Sequence, residues 1–172
     1  EDGVQGIAGD MDIMNERVLV VAAHPDDEAL GCGGTIARHI RNRDIVSIMC
    51  LADGVGSRGG NGRDERRMMF FRARQILGVD DFSLHEFPDN QMDSVPLLSI
   101  VKAIEEHMGR FNPTVVYTHH GGDMNIDHRI THDAVNVACR PQPGCKVKSL
   151  FYFEVPCSTA WGDGFLPNYY ID

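Results

Sequence analysis

Three side chains that suit metal-dependent hydrolysis stand together near the start of the chain. His24 and Asp27 are three residues apart across a turn, and Asp26 lies between them. A neutral imidazole and a carboxylate at this spacing can bind one cation, and both are zinc ligands. The side chain of Asp26 should diverge from that of Asp27, which leaves it free to act as a base. The alternative is that these acids, with Glu28, only cap a helix.

The elements around this cluster place it at the edge of a sheet. Residues 18–23 form an unbroken apolar run, which predicts a strand buried on both faces, as in a parallel sheet. Residues 28–43 follow with helical spacing. Open α/β sheets build their sites where a buried strand ends and a helix begins. The position therefore favours a functional site.

A second polar cluster follows the strand predicted for residues 113–119 and again opens a helix. Its members are His119, His120, Asp123, Asn125, Asp127, His128, His132 and Asp133. In a parallel sheet the two strand ends share one edge, so the clusters can converge. Four histidines with three aspartates in this setting predict a metal site. His128 and His132 are four residues apart on a helix, which is itself a zinc-binding spacing.

The motif Ala23-His-Pro-Asp-Asp-Glu28 resembles the signature of the LmbE-like, or PIG-L, family of zinc-dependent N-deacetylases. Enzymes of that family remove acyl groups from N-acetylated amino sugars and their conjugates. The stretch Asn125-Ile-Asp-His128 is similar to the family's His-Pro-Asp-His motif. The resemblance covers most of residues 17–172.

The resemblance implies a role for each matching residue. His24, Asp27 and His128 would hold zinc, and Asp26 would be the general base for a metal-activated water. The two-histidine, one-carboxylate set also suits iron(II). Asp127 would orient a histidine or contribute to the substrate site.

One position departs from the family pattern. The family's first histidine in the second motif assists as an acid or an oxyanion donor, and here it is Asn125. An amide can donate a hydrogen bond but cannot shuttle a proton at neutral pH. His120 is the first candidate for the acid, with His119 behind it, and a protonated Asp26 is another. His132 is left to packing.

Two further residues are predicted to contact the substrate. Arg66 matches an early arginine of the family's second helix, although the family's glutamate three positions later is Met69 here. Asp89 follows the third predicted strand and either lines the pocket or is a turn aspartate. The loop of residues 53–63 has five glycines and is either a lid or a surface loop.

Composition excludes several classes of partner. The 172 residues carry a net charge of −9, which argues against nucleic acid or an anionic membrane as the main partner. No apolar run approaches the ~20 residues of a membrane span. The five cysteines include no C-x-x-C pair, so we expect no disulfide framework and a cytoplasmic setting. A homo-oligomer is compatible with the sequence.

These patterns predict one α/β domain with a Rossmann-like, mostly parallel sheet and helices on both faces. Residues 1–16 are predicted to be a flexible leader and residues 17–172 the deacetylase domain, with the family's C-terminal helical part absent. No G-x-G-x-x-G follows the first strand, which argues against dinucleotide binding.

The function predicted from the resemblance is zinc-dependent removal of the acetyl group from an N-acetylated amino sugar or its conjugate. Three alternatives remain open. One is an amidase of thiol conjugates, a known branch of the family. Another is a non-catalytic relative that binds metal or sugar. The third takes the acidic clusters as helix caps and predicts no metal.

Overall fold

The computed structural model describes residues 15–58, 62–162 and 164–171. Most of the predicted leader, residues 1–14, lies outside them. The strands are β1 (Arg17–Ala22), β2 (Ile45–Ala52), β3 (Asp81–Phe87), β4 (Val115–His119) and β5 (Ser149–Phe153). The helices are α1 (Asp27–Arg41), α2 (Arg63–Leu77), α3 (Leu97–Phe111), α4 (Ile126–Ala138) and α5 (Pro156–Thr159).

The five strands form one parallel sheet in the order β3-β2-β1-β4-β5. The strand order reverses between β1 and β4, and a crevice forms beyond the carboxyl ends of strands at such a point. Both predicted polar clusters follow these two strands. The predicted Rossmann-like α/β fold is confirmed, and its topology brings the two clusters together.

Strand β1 lies at the centre of two apolar cores, one on each face of the sheet. Val18 and Val20 pack on the side of α1 and α2, where Ile36 is fully buried. Leu19 and Val21 pack on the side of α3 and α4. Because successive strand residues point to opposite faces, covering both faces requires an unbroken apolar run.

Helix α1 is kinked at Cys32, whose backbone angles (φ −144°, ψ 24°) are not helical. A Cβ atom on Gly31 would lie 2.2 Å from the ring of Phe153. Glycine at this position therefore lets the end of β5 approach the helix. Helix α3 begins at Leu97, and in the turn before it Ser94 Oγ donates to the Gln91 carbonyl oxygen.

All five cysteines are free, which agrees with the absence of a disulfide framework expected from the sequence. Within the described residues, no helix is both long enough and apolar enough to cross a membrane.

The buried His107 on α3 should make the stability of the protein depend on pH. Its imidazole is buried on α3, with Nε2 2.8 Å from Ser47 Oγ and Nδ1 3.1 Å from Ser83 Oγ. Burial, with help from the nearby Arg110, lowers its pKa from 6.5 to about 4. Between about pH 6.5 and pH 4, His107 is therefore protonated in the unfolded chain but neutral in the folded chain. The free energy of unfolding should fall as the pH drops through this range.

We expect the loss of unfolding free energy between pH 6.5 and pH 4 to be smaller by about 2–3 kcal/mol in His107→Gln, because the glutamine amide does not titrate. Urea unfolding of both proteins between pH 4 and 7, in the presence of a chelator, measures the difference. Parallel stability curves for the two proteins would contradict the burial argument.

Candidate metal centre and active site

Three buried side chains converge at the carboxyl edge of the sheet. His24 follows β1, Asp27 opens α1, and His128 lies in the first turns of α4. Their ligating atoms all lie within 4.8 Å of one another. Asp27 Oδ2 is 3.2 Å from both His24 Nδ1 and His128 Nε2. The structure thus brings together the three residues that the sequence predicts as metal ligands.

Two more buried carboxylates orient the imidazoles. Asp123 Oδ2 lies 3.1 Å from His128 Nδ1, and Asp127 Oδ2 lies 3.0 Å from His24 Nε2. Each carboxylate can accept a hydrogen bond from the N–H of the ring nitrogen that faces away from Asp27. The lone pairs of His24 Nδ1 and His128 Nε2 are then directed at one point, as in carboxylate–histidine–metal arrangements.

The charge balance at this point suits a cation. Burial disfavours the charged form of His24, yet Asp127 and Asp27 raise its pKa to about 10. The pKa of His128 is also raised, by Asp123 and Asp27. Carboxylates that stabilise a proton on these rings also stabilise a divalent cation, which competes with that proton for the same nitrogens. The donor set therefore fits zinc or iron(II).

Two other histidines of the second cluster support the site. His119 is fully buried, its Nε2 accepts a hydrogen bond from the Ala23 amide (2.9 Å), and its ring stacks on His128 at 4.0 Å. Burial lowers the pKa of His119 to about 3, so it stays neutral. His132 Nδ1 lies 2.9 Å from the His119 carbonyl oxygen. His132 is placed in packing, as expected, and His119 joins β4 to the end of β1.

Asp26 is not one of the three candidate metal ligands. Its φ of 131° lies in a region that L side chains rarely adopt, and Glu28 Oε2 accepts its amide hydrogen at 3.0 Å. The side chain is about half exposed (48%) and forms an ion pair with Arg66. Burial and the neighbouring Asp27 raise the pKa of Asp26, although Arg66 opposes them. A carboxylate with a raised pKa is a stronger base.

Arg66 therefore lies at the site, where its guanidinium contacts two residues of the first polar cluster. Its guanidinium donates to Asp26 and, at 3.2 Å, to the carbonyl oxygen of Pro25. The arginine predicted to contact substrate is thus also a partner of the predicted base.

Asp89 connects the glycine-rich loop to the metal ligands. Its Oδ2 accepts hydrogen bonds from the amide (2.8 Å) and hydroxyl (2.6 Å) of Ser57, and its Oδ1 lies 3.3 Å from His24 Nε2. Asp89 is buried, so it does more than close a turn. Residues 59–61, the middle of the loop, lie outside the described residues.

Asp127 is fully buried, and its carboxylate is occupied by protein groups. Besides His24, it accepts hydrogen bonds from the amides of Asn90 (2.6 Å) and Met92 (3.0 Å). Direct contact with substrate, one of its two predicted roles, would require an exposed carboxylate. The geometry instead fits the other role, orientation of a histidine.

The family can now be identified from comparison with known proteins. The family model for PIG-L, described as GlcNAc-PI de-N-acetylase, matches residues 19–139. This chain belongs to the PIG-L family. The matched residues include the three predicted ligands and Asp26.

Comparison with individual proteins also finds relatives of this PIG-L chain, two of which are named as deacetylases. An uncharacterized deacetylase, YaiS, of Escherichia coli is 30% identical over 73% of this chain and 69% of its own length. A probable N-acetyl-alpha-D-glucosaminyl L-malate deacetylase 2 of Bacillus anthracis is 29% identical over 80% and 66%. The crystal structure of the conserved protein TT1542 from Thermus thermophilus has a TM-score of 0.70, with 31% identity over 81% of this chain and 66% of that one. The chain spans about two thirds of the length of these relatives.

The two donors predicted in this PIG-L chain have different surroundings. Asn125 caps α4: its Oδ1 accepts the Asp127 amide hydrogen (2.9 Å), and its Nδ2 donates to Asn90 Oδ1 (3.3 Å). The His120 ring contacts Phe165 in the C-terminal segment, with centroids 5.3 Å apart. The described ring contact of the His120 side chain is thus with that segment.

Sequence reasoning gave Asp123 no role. Its Oδ2 accepts hydrogen bonds from Ser158 Oγ and Thr159 Oγ1, both at 2.8 Å, and also faces His128. The position of Asp123 within the second cluster was the available signal. The hydroxyl partners come from α5, 35 residues downstream, and no local pattern announces them.

Proposed function

We propose that this PIG-L chain is a zinc-dependent N-deacetylase that removes the acetyl group from an N-acetylated amino sugar or its conjugate. The observation that carries the proposal is the convergence of His24, Asp27 and His128 beside the half-exposed carboxylate of Asp26. Relatives named as deacetylases support the same chemistry.

The metal would be held by His24 Nδ1, His128 Nε2 and a carboxylate oxygen of Asp27. When bound, such a metal lowers the pKa of a water to about 7 and polarises a carbonyl oxygen. Iron(II) suits the same ligands. Asp123 and Asp127 would accept a hydrogen bond from the opposite ring nitrogens, which fixes the ring orientations and leaves one nitrogen of each imidazole to donate its lone pair to a metal.

Asp26 would move the proton in both halves of the reaction. Its carboxylate accepts a proton from the attacking water as the new C–O bond forms at the acetamide carbonyl. The protonated Asp26 then donates to the amine nitrogen as the C–N bond breaks, so that acetate and a free amino sugar leave. This assignment supplies an acid even though the family histidine is replaced by Asn125.

Asn125 is the proposed oxyanion donor. One Nδ2 hydrogen is directed at Asn90, which leaves the second for the oxygen of the tetrahedral intermediate. Because the ring of His120 lies against Phe165, we propose it for a more distant part of the substrate. Arg66 would orient Asp26, and Asp89 would hold the loop beside the site.

The experiment is a substrate panel with the zinc-supplied protein. Release of acetate from conjugates of N-acetylglucosamine would support the proposal. Cleavage of a thiol-conjugate amide in preference to these acetamides would identify the amidase branch instead. Bound metal without turnover of any compound would identify a non-catalytic relative.

Five free thiols favour a reducing compartment, and we propose the cytoplasm.

A further inference from the structure

A cavity of about 720 Å³ lies on the α1 side of β4 and β5. The kinked part of α1, at Gly31 and Cys32, forms one wall, and the two strands form another. Residues of the segment 164–171 complete the lining. Its volume is that of a site for a small organic group.

Aromatic rings from the strands and the C-terminal segment line this cavity. Tyr117 stacks on Phe151 with ring centroids 5.2 Å apart, and the Tyr169 ring centroid lies 4.7 Å from that of Phe151. Phe165 contributes a further ring, against His120. Tyr169 is 61% exposed, so its ring is available to a ligand.

The lining has no cationic side chain of the lysine or arginine type among the described residues. Its only carboxylate there is Glu154, which directly follows the end of β5. An anionic group would find no counter-charge in this cavity and would be repelled by Glu154. The lining therefore favours an uncharged ligand with an apolar face.

The cavity adjoins the proposed active site. Phe153, which lines the cavity, packs on His119 with ring centroids 4.8 Å apart, and His119 stacks on His128. His120, also in the lining, directly follows the last residue of β4. The rings of Phe153 and His119 thus span the distance between this cavity and the candidate ligand His128.

We propose that the cavity binds an uncharged aryl or alkyl aglycone attached to the amino sugar. This inference rests on the proposed function, because it assigns the part of the substrate that is not deacetylated. An uncharged aglycone would distinguish the substrate of this chain from substrates with an acidic aglycone, such as the malate conjugate in the name of the Bacillus anthracis relative.

Three probes test the inference by ligand-observed NMR and calorimetry, using the full chain with and without added zinc. They are N-acetylglucosamine, its phenyl β-glycoside and its 1-phosphate. We expect the phenyl glycoside to bind about tenfold more tightly than the free sugar, and the 1-phosphate to bind no more tightly than the free sugar. A 1-phosphate that binds as tightly as the phenyl glycoside would overturn the inference.

A matched pair of variants locates the binding. Tyr169→Ala should weaken binding of the phenyl glycoside by about 2- to 10-fold, because it removes one ring from the lining. Tyr170→Ala changes the adjacent exposed tyrosine, which lies outside the lining, and should leave binding unchanged. Equal affinities in both variants and the wild type would overturn the assignment of this cavity.

These outcomes separate the two proposals. Tighter binding of the phenyl glycoside that depends on Tyr169, without acetate release from any probe, would support the proposed ligand of the cavity and contradict the proposed deacetylase activity. Acetate release at equal kcat/KM from all three probes would support the proposed deacetylase activity and contradict the proposed ligand of the cavity.

Discussion

Asp26→Asn is expected to lower kcat/KM for deacetylation by about 10²–10⁴-fold while zinc binding stays unchanged. The Asp26 carboxylate is half exposed and pairs with Arg66, whereas the candidate ligands are buried. An amide of the same size keeps the shape of the site but can neither accept nor return a proton. Acetate release and zinc content, measured on the same preparation, check the expectation.

Asp93→Asn is a matched control, because Asp93 is an exposed acid in the turn before α3. It should keep full activity. Full activity in Asp26→Asn would remove Asp26 from the mechanism. Loss of zinc together with activity in that variant would instead give Asp26 a role in holding the metal.

Asp27→Asn is expected to remove the stabilisation that zinc provides. Asp27 is buried, which disfavours its charge, yet hydrogen bonds from His128 and His24 hold its pKa well below the usual range. An anion held among imidazoles is a strong cation ligand, and a neutral amide is a weak one. In the wild type, zinc at 100 times its Kd should add about 2.7 kcal/mol to the free energy of unfolding.

Urea unfolding with zinc and with a chelator measures this difference. Asp133→Asn, an exposed change on α4, should behave like the wild type. Zinc that stabilises Asp27→Asn as much as the wild type would show that the ion binds elsewhere.

The convergence of the three candidate metal ligands was predictable because their signals in the sequence are local. His24 and Asp27 follow an unbroken apolar run that favours a buried strand, and His128 lies in the first turn of a helix that follows another such run. Parallel strand ends share an edge, so spacing and topology together imply convergence. The fold followed from the same patterns.

The supporting contacts were not predictable, because they join residues distant in sequence. Nothing near Arg66 indicates that it pairs with Asp26, 40 positions earlier. The two hydroxyls on Asp123 likewise come from α5. The ring of His120, the first candidate for the acid, contacts Phe165, which no pattern in the sequence anticipates.

Metal content tests the central claim most directly. Native mass spectrometry would count zinc per chain in the wild type, in His128→Ala and in His132→Ala. His132 is a matched control four residues along α4, and its ring contacts a backbone carbonyl rather than the metal ligands. We expect about one zinc in the wild type and His132→Ala, and little in His128→Ala. Equal zinc in the wild type and His128→Ala would contradict the assigned metal centre.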